Sequence, residues 1–448
     1  MRRLILCLAL VSSASATAQF SPFGSSVVPR PPEPTAYGLE IIRAEDWQPE
    51  DKGEEGSDAS EESPDSPDNL GSIESTEGTE SIARYQALIE QLEIAHGPYA
   101  DGLSEAVAGL AHNYQNLGEH QQAVDAFKRS IHLTRISQGP FTDEQIPLLD
   151  SLRESLFADR KLLELDRLQE YIYLVHRRAL APGDPRLELA TRDYVEWQRS
   201  AYLQDLGDDG SRRLLTLHQL YDDAIAALRE GEAPQSMQRP LLQGALQVAY
   251  LMALDTLGQQ PEIRIQIRQS NIPAPAYNSE QERLQLLRER SYRHGLRVAR
   301  ELVEASGEEV PAVRARALVA QGDWYQWQQH RGRAVNIYAE AYALFDDPDE
   351  RQQLFGEPTE LPDNFAFLPD IELTQRTPRG RAQVRFTVDR YGRLRDLELL
   401  SLEPKDDRGA EIALRKMLRN LRFRPRLENG EAVEISSIER EYIFFDSP

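Results

Sequence analysis

Two rhythms of apolar residues divide the chain. From about Ile82 to Leu344 they return every three or four positions, the spacing that gathers them on one face of a helix. In roughly the last seventy residues the spacing tightens to alternation. Ala382, Val384, Phe386 and Val388 fall on one face of a strand, and Gln383, Arg385, Thr387 and Asp389 on the other. Asp389 to Arg393 reads as a turn, with Gly392 able to take positive φ. Leu394, Leu397 and Leu399 predict a second strand, and residues 409–421 an amphipathic helix with Ala410, Leu414, Met417, Leu418 and Leu421 inward. A Pro-punctuated turn and an aromatic-rich strand follow, so the predicted order is strand, strand, helix, strand.

The helical region repeats. Between Leu110 and Ile131, small Ala111 is followed by Tyr114, a helix-ending Gly118, and then Ala123, Phe127 and Ser130 on one face of a second helix. The same offsets recur at Gly322, Tyr325, Ala334, Tyr338 and Ala341. HGPYADGLSEAV at 96–107 is echoed at 138–149 and more loosely at 182–193, spacings of 42 and 44 residues. This pattern resembles the tetratricopeptide repeat in its longer-loop form. The resemblance implies an α-solenoid of helix pairs over 82–345, with degenerate repeats between 200 and 300 and a long loop over 259–278. Thr142 with Gln145 and Ser279 with Glu282 have capping-box spacing, and Asp184-Pro185 suits an N-cap and first helical residue.

At the C-terminal end, Gly380, Val384, Phe386, Val388, Gly392 and Asp396 carry a family-like string, continued downstream by Phe423, Pro425, Asn429, Gly430, Val433, Tyr442 and Phe444. Together they resemble the TonB C-terminal domain over about 379–445. The resemblance implies a small ββαβ fold in the periplasm of a Gram-negative cell, whose last strand pairs with an extended segment of an outer-membrane receptor. Ile438, Arg440, Tyr442 and Phe444 are then the candidate peptide-binding edge. Energy-transducing members begin with a membrane-spanning helix and a Pro-rich spacer. This chain has a signal-like start, an acidic tether and helix pairs instead, so the resemblance implies the fold and peptide binding rather than force transmission. The predicted fold class is multidomain, an α-solenoid followed by a small α/β module.

Composition adds compartment and charge. A mean hydropathy of -0.55 with 28% charged residues excludes a polytopic membrane protein. Residues 1–18 read as a cleavable signal peptide, with Arg2 and Arg3, an apolar run from Leu4 to Val11, and Ala16-Thr17-Ala18. An uncleaved inner-membrane anchor is the alternative. The single cysteine, Cys7, lies inside that segment, so the mature chain would have no disulfide or thiolate site. Residues 19–81 predict a disordered acidic and Pro-rich linker, and 346–378 a connecting segment before the module at 379–448. The net charge of -23 is uneven: Glu45 to Glu80 holds fourteen acids against one lysine, whereas Arg376 to Arg426 holds fifteen Arg or Lys against seven acids.

Candidate chemistry is sparse. The eight histidines are scattered, and no nucleophile elbow or phosphate-cradling glycine loop occurs, so no enzyme, metal or cofactor is expected. Arg385, Arg393, Arg395, Arg415, Arg419, Arg422, Arg424 and Arg426 form a basic module; export argues against nucleic acid as its ligand. The repeat resemblance places Glu105, His112, Gln115 and Asn116 in an early groove and Arg316, Asp323, Gln326 and Trp327 in a late one. The expected function is a non-catalytic periplasmic adaptor, with protein or peptide partners in the cell envelope, outer-membrane receptors among them, and at most peripheral membrane contact. Two alternatives are an accessory component of TonB-dependent transport and an envelope protein that binds anionic polymer.

Overall fold

The computed structural model describes residues 39–43, 68–181, 184–207, 210–231, 234–258, 286–287, 289–307, 310–362, 369–373 and 377–446. Residues 1–18, read as a signal peptide, the predicted loop at 259–278 and the predicted Ser279–Glu282 cap lie outside the described residues. Thirteen helices and eight strands occur among those described, and the chain is mostly helical with a small C-terminal antiparallel sheet. It divides into two compact units, Glu50–Trp197 and a second made of Met1–Pro49 with Gln198–Pro448.

The first unit contains α1 (Asp68–His96), α2 (Leu103–Asn116), α3 (His120–Gln138), α4 (Gln145–Ala158), α5 (Leu162–Ala179) and most of α6 (Pro185–Leu203). From α1 to α5 each helix packs on the next in sequence. The small and aromatic positions read from the sequence sit at these contacts: Ala111, Ala123, Phe127 and Ser130 are all fully buried. Gly118 has φ 74°, a conformation open to glycine where α2 must stop. Asp184 caps α6 as expected, its carboxylate accepting from the Arg186 N–H at 2.9 Å behind the N-terminal Pro185. The box at Thr142 does not form, because α4 begins only at Gln145, whose side-chain amide turns back to the Gly139 carbonyl at 3.2 Å.

The second unit takes its helices from α7 (Gly210–Glu230), α8 (Gln235–Gly258), α9 (Ser291–Ala305), α10 (Pro311–Trp327), α11 (Arg331–Leu344) and α12 (Pro348–Phe355). Helix α8 is apolar almost all round, from Leu241 to Ala253, and is buried between α7 and α9. Gly322 lets α10 and α11 close together: a methyl there would lie 2.5 Å from the Tyr338 ring.

The C-terminal sheet joins β1 (Leu39–Arg43), β3 (Gly380–Val388), β4 (Leu394–Glu403) and β8 (Ile435–Asp446), in the order β1-β8-β3-β4 and all antiparallel. Short pairs β2 (Thr359–Glu360) with β5 (Phe423–Arg424), and β6 (Leu427–Glu428) with β7 (Glu431–Ala432), flank it. Helix α13 (Arg408–Asn420) lays Ala410, Ala413, Leu414 and Leu418 on Ala382, Val384, Phe386, Val388, Tyr442 and Phe444. Burying each large side chain contributes about 1.5–3 kcal/mol. The leucines of β4 keep to one face although their spacing is not strictly two. Register shifts against β3 insert extra residues, one of them Asp396 at φ 52°, and bring Leu394, Leu397, Leu399 and Leu402 back onto the core. Asn429 and Gly430, at φ 53° and 83°, make the left-handed turn of the β6–β7 hairpin.

Two expectations change. Residues 19–81, read as a linker, contain β1 and the first part of α1. Leu39, Ile41 and Ile42 supply a β-prone run that finds a partner in β8, and α1 begins at Asp68. The segment 346–378 is not a plain connection either. It forms α12 and β2, and Asp370 to Leu373 bind the end of α6, where Ser200 Oγ accepts the N–H groups of Asp370 and Ile371 at 2.9 and 3.0 Å. Gln204 completes that contact with bonds to the Ile371 carbonyl and the Leu373 N–H.

Candidate functional site

Part of the edge expected to receive a partner's strand, Tyr442 to Phe444, is taken by the chain itself. Strand β1 runs antiparallel to β8 with Leu39 opposite Asp446, Ile41 opposite Phe444, Ile42 opposite Ile443 and Arg43 opposite Tyr442. An edge of unpaired N–H and C=O groups invites such pairing, and a β-prone segment of the same chain supplies it. The reading of Tyr442 and Phe444 as an open edge is thereby corrected; their side chains lie in the core, each 1% exposed. Ile438 faces Phe386 across the β3 pairing and packs against the same core, and Arg440, half-buried, reaches Glu357 at 3.8 Å.

Beneath the β1–β8 pairing lies a buried polar group of residues. Tyr442 Oη donates to Glu360 Oε1 at 2.7 Å, and Glu360 is 5% exposed. Burial, then the Glu360 charge, pushes the Tyr442 hydroxyl far above its ordinary range, with Arg43 and Arg440 acting in the opposite sense. Arg43 itself is buried, so β1 delivers a guanidinium into the region where Glu360 is held.

The late groove is also filled from within. Asp323 on α10 holds Arg424 of β5 through two bonds, Nε to Oδ1 at 3.0 Å and Nη2 to Oδ2 at 2.7 Å. Arg424 Nη1 donates to the Leu354 carbonyl at 3.0 Å, and Tyr338 Oη donates to Asp323 Oδ1 at 2.8 Å. Burial, then the Asp323 charge, pushes the Tyr338 hydroxyl far up. Three positions along α10 one turn away, Gln326 donates to the Tyr391 and Phe423 carbonyls at 2.7 and 2.8 Å. Gly392 is required at that point: its φ is 69°, and a Cβ would lie 1.9 Å from the Phe423 carbonyl oxygen. Asp323 and Gln326 are therefore not a partner's contacts. They fasten the C-terminal sheet to α10.

The remaining groove positions divide. Trp327 is half-buried, edge-on to Tyr250 at 4.9 Å, and packs between helices. Arg316 pairs with Glu350. Glu105, His112 and Asn116 are exposed on α2, with His112 edge-on to Phe127 at 5.0 Å, while Gln115 donates to the Ser151 carbonyl at 3.1 Å. The early face is thus the part of the predicted groove that stays on the surface.

The basic module is largely neutralised at home. Arg385 bonds Glu439 and Glu398, Arg395 bonds Asp389, Arg415 bonds Glu411, and Arg426 lies 2.8 Å from Glu428. Arg422 Nη1 donates to the carbonyls that close α13, and Arg424 is consumed by Asp323. Arg393 and Arg419 have no carboxylate partner among the described residues.

No protein-family model and no curated protein matches the chain. Among the described residues, no helix is long and apolar enough to cross a membrane. Sequence reasoning missed Arg43, Glu360 and the whole of β1. Its one signal was the β-prone Leu39-Glu40-Ile41-Ile42, set in otherwise polar surroundings.

Proposed function

We propose that the chain is an exported, non-catalytic adaptor of the bacterial cell envelope, a tetratricopeptide-like helical protein whose TonB-like C-terminal sheet takes up a partner's extended segment by strand exchange. The observation that carries this reading is the β1–β8 pairing: a five-residue antiparallel strand lies on the edge of a twelve-residue β8. The edge accepts an extended segment through main-chain hydrogen bonds, the mode in which peptides add to sheets. In the resting chain that segment is its own. A partner strand matching the Leu-Glu-Ile-Ile pattern replaces β1, while the Asp323–Arg424 pair and Gln326 keep the sheet fixed to α10 and α11 during the exchange. The exposed α2 residues Glu105, His112 and Asn116 give the helical part its own docking face.

The test is a lock. Ile42→Cys with Ile443→Cys, residues that face each other across the two strands, ties β1 down when oxidised. With a photoreactive residue at the exposed position 441, the unlocked chain should crosslink an envelope protein in cells, and the oxidised chain should not. Equal crosslinking in both states, or none in either, counts against exchange.

A further inference from the structure

The turn between β3 and β4 is held against the end of α10 by Gln326, and this brings two sets of arginines to one cleft. Arg331 and Arg333 come from the start of α11; Arg393 and Arg395 come from the turn and the strand after it. With His330 and Tyr391 they line an open cleft of about 570 Å³. No acidic side chain lines it. Asp389, buried below, accepts from Arg395 Nε at 3.0 Å and uses its other oxygen on the Tyr391 and Arg393 N–H groups. Arg331, Arg333 and Arg393 are left without a carboxylate among the described residues.

Such a convergence of like charge works against folding unless something else accounts for it. Two further features point the same way. Arg331 Nε is buried with no hydrogen-bond partner. The His330 side chain does not cap α11, and among the described residues no backbone carbonyl outside the helix accepts the N–H groups of Arg331 and Gly332 at the positive end of this 14-residue helix. Burial, and then the charge of Arg393, lower the Arg331 guanidinium from its ordinary range, with the Asp389 carboxylate acting in the opposite sense.

We infer that this cleft binds a phosphate-bearing ligand through Arg331, Arg333 and Arg393 and the opening turn of α11. A single carboxylate would bring one negative charge to three guanidiniums that have no ion-pair carboxylate among the described residues; a phosphoryl group brings about −1.5 to −2, with three oxygens that match the arginine fork. The breadth of the mouth suits a phosphate carried on a larger molecule, either soluble or in a lipid headgroup. Nothing in this site depends on strand exchange at β8.

Two probes separate the sources. Calorimetry of the full chain with sodium pyrophosphate reports a soluble phosphate; co-sedimentation with phosphatidylglycerol vesicles reports a headgroup. Whichever probe binds, Arg333→Gln and Arg393→Gln should each weaken it about tenfold, the size of one lost charge-assisted bond. Both residues are exposed, so neither change threatens the fold. Arg419→Gln, an exposed and equally unpaired arginine on α13, should leave binding unchanged. The inference is overturned if neither probe binds, if the cleft variants bind like the parent, or if Arg419→Gln weakens binding as much as they do.

Discussion

At the scale of single residues, Asp323 and Arg424 decide where the C-terminal sheet can sit. Their side chains are 5% and 1% exposed, and the desolvation cost of such a pair is offset because both carboxylate oxygens and all three guanidinium nitrogens are hydrogen-bonded. The carboxylate takes both guanidinium bonds and the Tyr338 hydroxyl, and the guanidinium also reaches the Leu354 carbonyl. Removing one partner strands a buried charge. Arg424→Met alone or Asp323→Leu alone should therefore cost about 3–5 kcal/mol in urea unfolding, and the double variant clearly less than the sum. Additive costs would show that the two residues are not coupled. The clue in the sequence was slight: Arg424 is the middle of three alternating arginines in Arg422-Phe423-Arg424-Pro425-Arg426, and nothing in its spacing pointed to Asp323, 101 residues earlier.

At the scale of elements, what could be read from the chain was whatever one element's own periodicity settles. Both strands of the β3–β4 hairpin, the inward face of α13 and the small and aromatic contacts of α2 with α3 and of α10 with α11 follow from local spacing. Pairings between distant elements do not. Five residues in a polar, Pro-rich stretch gave too short a pattern to announce β1, and its partner lies some 400 residues away. The groove positions failed for the same reason: the repeat resemblance assigns Asp323 and Gln326 to a groove, but says nothing of the β5 and β3–β4 turn residues that bond them.

Contacts between helices also set a pH response. His294 of α9 meets the His218 ring of α7 edge-on at 4.9 Å, with Asp222 of α7 nearby, and Arg297 of its own helix donates to His294 Nδ1 at 3.0 Å, which requires that nitrogen unprotonated. Burial first, then the His218 and Arg297 charges, bring His294 down to about 4. The unfolded chain takes up this proton near pH 6.5, the folded one only near 4, so stability should hold above about pH 6.5 and decline as pH falls toward about 4. Urea midpoints at pH 7.5 and pH 5 should differ for the parent and converge in His294→Gln. An unchanged slope in that variant would place the pH response elsewhere.

For the whole molecule, the charge map and the sheet give one picture. Part of the basic surplus near the C-terminus is spent on internal pairs, and Arg393, one of its members without a carboxylate among the described residues, faces the α11 cleft. The Tyr442–Asp446 part of the sheet edge is closed by a segment of the same chain, present at an effective concentration on the order of millimolar, so any strand added there would have to displace it. This can be measured directly as the fluorescence anisotropy of a labelled peptide of residues 37–46 mixed with a chain that begins at residue 44, with full-length Ile41→Pro as a second host and the parent for comparison. Exchange at β8 predicts that the peptide binds both altered chains and binds the parent at least about tenfold more weakly. A peptide that ignores the chains lacking a competent β1, or that binds the parent equally well, would contradict it.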